Sequence, residues 1–169
     1  VLQDSIRVFP NQNSHARGRE TNGSSVWSVF LSGTPNGNNV GAMQEYATPP
    51  VFSQVGGYNS ATISLSLSSP DPNITIYYTI NGNEPNNTST IYTSPISISS
   101  TTVVKAIAYS SSANIPSSFI EYHTFFINDT HTIPILSISG NQVDNLLNGN
   151  NQIEPEGTFE WFNENGILL

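Results

Sequence analysis

Ile74, Ile76, Tyr78 and Ile80 alternate with Thr75, Tyr77 and Thr79, the period-two pattern of a strand with one buried face. Asn81-Gly82 follows, two residue types that tolerate positive φ, so a reversal is predicted there, and Glu84-Pro85 keeps the strand from continuing. The chain then runs through Ile91-Tyr92-Thr93-Ser94-Pro95-Ile96 into a second strand, Val103-Val104-Lys105-Ala106-Ile107-Ala108.

Similar signals surround this run. Ile63, Leu65 and Leu67 alternate with Thr62, Ser64 and Ser66, and Ser69-Pro70-Asp71-Pro72-Asn73 closes that strand. Ile96 and Ile98 form a short edge behind Pro95, and strands are predicted over Thr102–Tyr109 and Phe119–Phe126. Short strands separated by turns predict an all-β fold, an Ig-like or fibronectin-III-like antiparallel sandwich. Residues 1–45 are rich in Asn, Ser and Gly, with one strand candidate at Val26–Leu31 and a breaker cluster at Thr34–Asn39. That region is too short to bury its own core. After Asn128-Asp129-Thr130 come a strand over Ile133–Ile138, a short helix over Gln142–Leu147, and a hairpin that turns at Asn163–Gly166. The predicted organisation is therefore a segment 1–45, a sandwich 46–128 and a segment 129–169, with partial flanking segments cut at both ends.

Composition narrows the function classes. Hydrophobic residues make up 36% of the 169-residue chain and charged residues only 9%, with polarity supplied by Ser, Thr, Asn and Gln, which compete with helical backbone bonds. Net charge is -8, and three of the four cations are Arg7, Arg17 and Arg19, so from residue 20 onward Lys105 is the only fixed cation. Nothing can drive binding to a phosphate backbone, and nucleic acid is excluded as a partner. The absence of cysteine removes disulfides, thiol catalysis and thiolate metal sites. No apolar run approaches the roughly 20 residues that span a bilayer, and no leader is present; a chain starting at Val1 reads as a processed or excised piece.

The central run resembles the β-sandwich module at the C-terminus of chitobiases and β-hexosaminidases, which is reused in bacterial surface proteins. Ile76–Thr79, Gly82, Pro85, Tyr92, Pro95, Ile96 and Val104–Ala108 match that family's pattern in order, over roughly residues 50 to 127. Asn81 stands where Asp is usual, which preserves the turn and weakens any cation role. Gly18-Arg19, Asn22-Gly23, Trp27 and Thr34–Asn39 resemble the end of a bacterial lamin-tail-like domain. Ile133–Ile138, Asn145–Leu147 and Phe159–Gly166 resemble the opening of the CotH family of spore-coat kinases. These resemblances imply a secreted or cell-surface multidomain bacterial protein, with adjoining domains of the same polypeptide as partners. A CotH kinase carries its nucleotide and metal residues well downstream of its opening strands, and this chain ends at Leu169, so no catalysis by this chain is expected.

Candidate sites emerge from residue chemistry. Tyr77 and Tyr109 on a sheet face, with Tyr92 and Tyr46 near its edges, are the residues a carbohydrate-binding module would stack on sugar; packing explains the same residues. Asp71, Asn73, Asn81, Asn83 and Glu84 offer oxygens to calcium, though Asx-turn chemistry accounts for them and their spacing matches no EF-hand. Calcium is the one cofactor considered and none is assigned. The family-motif turn is Asn81, Gly82 and Pro85. His15, His123 and His131, with Asp129, do not have the spacing of a zinc site and read as packed or solvated side chains. Glu154 with Glu156 and Glu160 with Glu164 are carboxylate pairs, with Glu160 and Glu164 expected to flank a turn in solvent. The sequons at Asn22, Asn73, Asn86, Asn87 and Asn128 matter only in a eukaryotic secretory pathway. The chain therefore reads as a non-catalytic spacer or docking module. The alternatives are a carbohydrate-binding accessory module, whose partner is a cell-surface glycan or protein, and a substrate-positioning part of a CotH-like kinase.

Overall fold

The computed structural model describes residues 9–21, 23–150 and 152–169; Arg7 and Asn22 lie outside the described residues. Contacts divide the chain into two compact units. One comprises the residues up to Tyr46 together with Ser112–Pro116, and the other Ala47–Ser111 with Ser117–Leu169.

In the first unit β1 (Ala16–Arg19) and β2 (Trp27–Phe30) form an antiparallel pair. Arg17 donates from Nη1 to Glu45 Oε2 at 2.7 Å, and Tyr46 Oη lies 3.0 Å from His15 Nδ1. Hydrogen bonding to Arg17 holds the Glu45 carboxyl below the usual carboxylate range, against the opposing effect of burial.

The second unit holds β3 (Val51–Phe52), β4 (Gly57–Asn59), β5 (Ile63–Leu65), β6 (Leu67–Ser68), β7 (Ile74–Thr79), β8 (Thr90–Ile91), β9 (Ile96–Ile98), β10 (Thr102–Ser110) and β11 (Glu121–Ile127). After these come β12 (Ile135–Ser139), α1 (Val143–Leu147) and β13 (Thr158–Phe162). A five-stranded sheet runs in the order β4-β11-β10-β7-β8, antiparallel except for the parallel β4–β11 pair. Facing it are the short pairs β5–β9 and β3–β6. Leu65, Leu67, Ile96 and Ile98 from those pairs meet Ile76, Val104, Ala106, Phe125 and Ile127 in one buried cluster, so the all-β sandwich is present as two layers over a shared core.

Two boundaries differ from expectation for local reasons. The predicted Ala61–Leu67 strand is broken at Ser66, because Leu65 pairs within β5–β9 while Leu67 pairs within β3–β6. Ile80, expected on the buried face, is exposed: β7 ends at Thr79, where Gly82 at φ 76 already begins the reversal. A side chain at position 82 would be strained by that φ, and its Cβ would sit 3.0 Å from the Ser139 Cβ.

The contacts of the sandwich continue past Asn128. β12 and β13 pair antiparallel from Ile135↔Phe162 to Ser139↔Thr158, and this hairpin lies on the outer face of the five-stranded sheet. Phe162 packs edge-on against Phe126 at 5.2 Å between ring centroids, and Thr124 Oγ1 meets Ser137 Oγ at 2.7 Å. Beyond β13 the predicted turn is present: Asn163 Oδ1 accepts from Asn165 N and Ile167 N, and Leu169 N donates to Trp161 O. A Cβ added at Gly166 would fall 2.3 Å from the Tyr58 ring, so only glycine lets this turn settle on the sandwich.

Phe162 and Leu65 are both fully buried in the same unit. Phe162→Ala is expected to destabilise by about 3–5 kcal/mol and Leu65→Ala by about 2–5 kcal/mol. Both should lower one shared unfolding transition in urea. A Phe162→Ala protein whose main transition is unmoved would mean that the hairpin unfolds separately.

Candidate functional site

Strand β10 is buried on both faces from Val104 to Ala108. Val104, Ala106 and Ala108 face the sandwich core, while Lys105 and Ile107 face outward and are still buried. Lys105 is 0% exposed, a cation that must find an anion because desolvating an unpaired charge is costly. Its partner comes from the family-motif turn: Lys105 Nζ lies 2.6 Å from Glu84 Oε1. Nζ also donates to the Ser139 carbonyl at 3.2 Å and sits 5.9 Å from the centroid of the Tyr122 ring.

The same turn is bonded to the C-terminal segment a second time. Glu84 N donates to Asn141 Oδ1 at 2.9 Å, while Thr79 Oγ1 donates to the Asn83 carbonyl and Asn83 N to Asn81 Oδ1. Between the turn and the segment lies a mainly polar recess of about 280 Å³, whose lining includes Asn81, Asn83, Thr102, Ser139 and Asp144. Asn81 and Gly82 thus make the reversal and Pro85 is buried beneath it, while Glu84 carries the charge.

A second junction forms at β11. Glu160, expected in solvent beside a turn, is only 6% exposed. It stands inside β13 opposite Ser137, pointing inward, so it shares the inward face with Phe162. Its Oε2 accepts from Thr124 N at 2.6 Å, and its Oε1 lies 3.0 Å from His123 Nδ1. The carboxylate therefore caps a β11 backbone donor that no strand pairs at that point, which is the physical reason for burying it. Glu121 stands on the other side of His123, its Oε1 3.9 Å from Nε2. Burial raises the Glu121 carboxyl above the usual range, His123 opposes that, and the negative charge of Glu160 adds to it. The Tyr122 phenol is raised as well, by burial first and then by Glu160, Glu121 and Glu84.

Of the carbohydrate candidates, Tyr77 and Tyr109 are neighbours, half-buried, with ring centroids 5.5 Å apart and planes at 85°. Tyr92 is not on their face: it packs against the core cluster, 6.4 Å from Tyr78. Tyr46 belongs to the first unit, where it stacks on His15. The calcium candidates have protein partners: Asp71 accepts from Thr48 N and Oγ1, and Glu84 pairs with Lys105. Among the described residues no group of three or more His, Asp or Glu is arranged to hold a metal ion. His131 Nε2 lies 3.4 Å from Asp129 Oδ1 on the surface. No helix of the described residues is long and apolar enough to cross a membrane.

Sequence reasoning missed Ser139 and Asn141 and placed Glu160 in solvent, where the structure buries it. In Thr158–Phe162 the glutamate shares parity with Phe162, so burying that ring turns the carboxylate inward with it.

Two expected outcomes test this geometry. Glu84→Leu strands a buried ammonium and should cost about 3–5 kcal/mol, while Lys105→Met leaves a partly solvated carboxylate and should cost less. The double substitution should recover most of the loss, measured as a double-mutant cycle in urea. For Glu121 the folded pKa is raised, so the folded state holds its proton at higher pH than the unfolded chain. Its contribution to stability is therefore greatest at low pH and declines as pH rises from the unfolded value of about 4.3 through the folded one. Urea midpoints compared between about pH 4 and pH 7 should show Glu121→Gln gaining on the parent as pH rises.

In comparison with known proteins, no curated protein and no solved structure matches the chain. One family model does match, at residues 54–121, described as Chitobiase/beta-hexosaminidase C-terminal domain, a β-domain that is typically an accessory, non-catalytic module. Those residues run from the loop after β3 to the first residue of β11 and include the motif turn and Lys105. Residues 54–121 are thus similar to the chitobiase/β-hexosaminidase C-terminal domain, within a mostly-β chain.

Proposed function

We propose that the chain is a non-catalytic spacer and docking module of a secreted or cell-surface multidomain bacterial protein, its partners being adjoining domains of the same polypeptide. The observation that carries this reading is the use made of its buried charged groups. Lys105 is held by Glu84 and the Ser139 carbonyl, and Glu160 by Thr124 and His123, so each joins one part of the unit to another. In this reading residues 1–45 close a lamin-tail-like domain, 46–128 are the sandwich and 129–169 open a CotH-like domain.

A second reading, a carbohydrate-binding accessory module, is favoured by one observation: Tyr77 and Tyr109 are adjacent and partly exposed on the outer sheet face. Their perpendicular planes offer one ring face rather than a flat platform, which favours the spacer. A glycan array probed with the full chain decides between the two. The spacer reading expects no saturable binding; binding abolished by Tyr77→Ala would replace it with the second.

A further inference from the structure

The C-terminal hairpin is inside out. Its inward face carries Ser137, Ser139, Thr158 and Glu160 along with Ile135 and Phe162, while the outward face pairs Leu136 with Trp161 and Ile138 with Phe159. Phe159 is 67% exposed and Trp161 54%. Helix α1 lies over one end of this face, burying Val143 and leaving Leu146 and Leu147 at the surface. Between helix and hairpin runs an open, mainly apolar groove of about 410 Å³, lined by Leu136, Ile138, Leu146, Leu147 and Phe159. Contiguous exposed apolar surface rimmed by polar residues marks an interaction site rather than ordinary surface.

Charge identifies the occupant. From residue 129 onward the chain carries Asp129, Asp144, Glu154, Glu156, Glu160 and Glu164, with no Lys or Arg. Asp144 sits on α1 beside Val143, and Glu154 and Glu156 flank Pro155, which lines the groove; all three are exposed. A second copy would bring the same negative rim against this one, and an anionic membrane surface would be repelled in the same way. We propose that the groove docks a basic amphipathic segment of a partner protein, an apolar stripe flanked by Lys or Arg, seated as a helix in a groove. Trp161 and Phe159 are the anchors, since exposed aromatic side chains at the centre of an apolar patch carry most of the binding energy. The carboxylates of Asp144 and Glu154 supply steering and register. This inference goes beyond the spacer reading, whose partners are adjoining domains of the same polypeptide, by naming a partner of stated chemistry for one surface.

The test uses the full chain and a labelled synthetic helix of about four turns, with leucines along one face and lysines beside them. A matched peptide replaces every lysine with glutamate. Fluorescence anisotropy is expected to show binding of the lysine peptide, weakened by added salt, and none of the glutamate peptide. Phe159→Ser with Trp161→Ser should weaken binding about thirtyfold. Asp144→Asn with Glu154→Gln should weaken it less and flatten the salt dependence. All four positions are exposed, so thermal melts confirm that each variant is folded. The proposal is overturned if the lysine peptide does not bind, if both peptides bind equally, or if the aromatic substitutions change nothing. It is also overturned if sedimentation shows the chain pairing with itself through Trp161, which would make a second copy the occupant.

Discussion

The middle of strand β10, Val104–Ala108, has no solvent face, and the rest of the second unit is arranged around that constraint. A strand buried on both sides needs two covering layers. The first is the pair of short sheets that bring Leu65, Leu67, Ile96 and Ile98 onto Val104 and Ala106. The other side receives the β12–β13 hairpin, placed by Phe162 on Phe126 and by Ser139 at Lys105. A charged residue in the middle of such a strand would be intolerable alone, and the motif turn supplies its counter-charge. The Asn-Gly reversal that gives the module its recognisable sequence thereby also delivers Glu84 to the one site where an anion is required.

This arrangement ties the module to the C-terminal hairpin. Glu84 presents its carboxylate to Lys105 and its backbone donor to Asn141, so a single residue of the turn is bound both to the sheet and to the C-terminal segment. Glu160 makes the reverse connection, reaching from the hairpin to the open edge of β11. Such fully bonded polar groups favour one orientation of the hairpin over others, because any slip would leave a buried charge or a backbone donor unsatisfied.

Most of the sandwich was legible in the sequence because its strands alternate: Ile76 and Tyr78 face the core as their parity requires. At Val103–Ala108 only a strand was legible, and its burial on both faces from Val104 to Ala108 came from the structure. The partner of Lys105 was not legible, because Glu84 is 21 residues away and reads equally well as a turn residue. The hairpin misled for a physical reason. In Thr158–Phe162 either parity buries an aromatic ring, and hydropathy alone favours Phe159 and Trp161 inward. In the observed parity Thr124 N bonds to the inward Glu160 and Phe162 packs on Phe126. The tyrosine candidates separated likewise: Tyr77 and Tyr109 share a face, whereas Tyr92 faces the core.

Satisfying β11 in this way has a consequence at the surface. One edge carboxylate and one buried ring leave Leu136, Ile138, Phe159 and Trp161 outward together, because alternation cannot change one residue's side without changing its neighbours'. A bare apolar sheet face normally invites association. The same segment contains carboxylates and no fixed cation, so two such faces repel before they can pack. The hydrophobic contact and the electrostatic barrier act at different ranges, the barrier over a Debye length of about 8 Å at physiological salt and the contact only on touching. Charge thus acts on an approaching surface at a distance and shape only at contact, and the outward apolar face is the other side of the strand whose Glu160 bonds to β11.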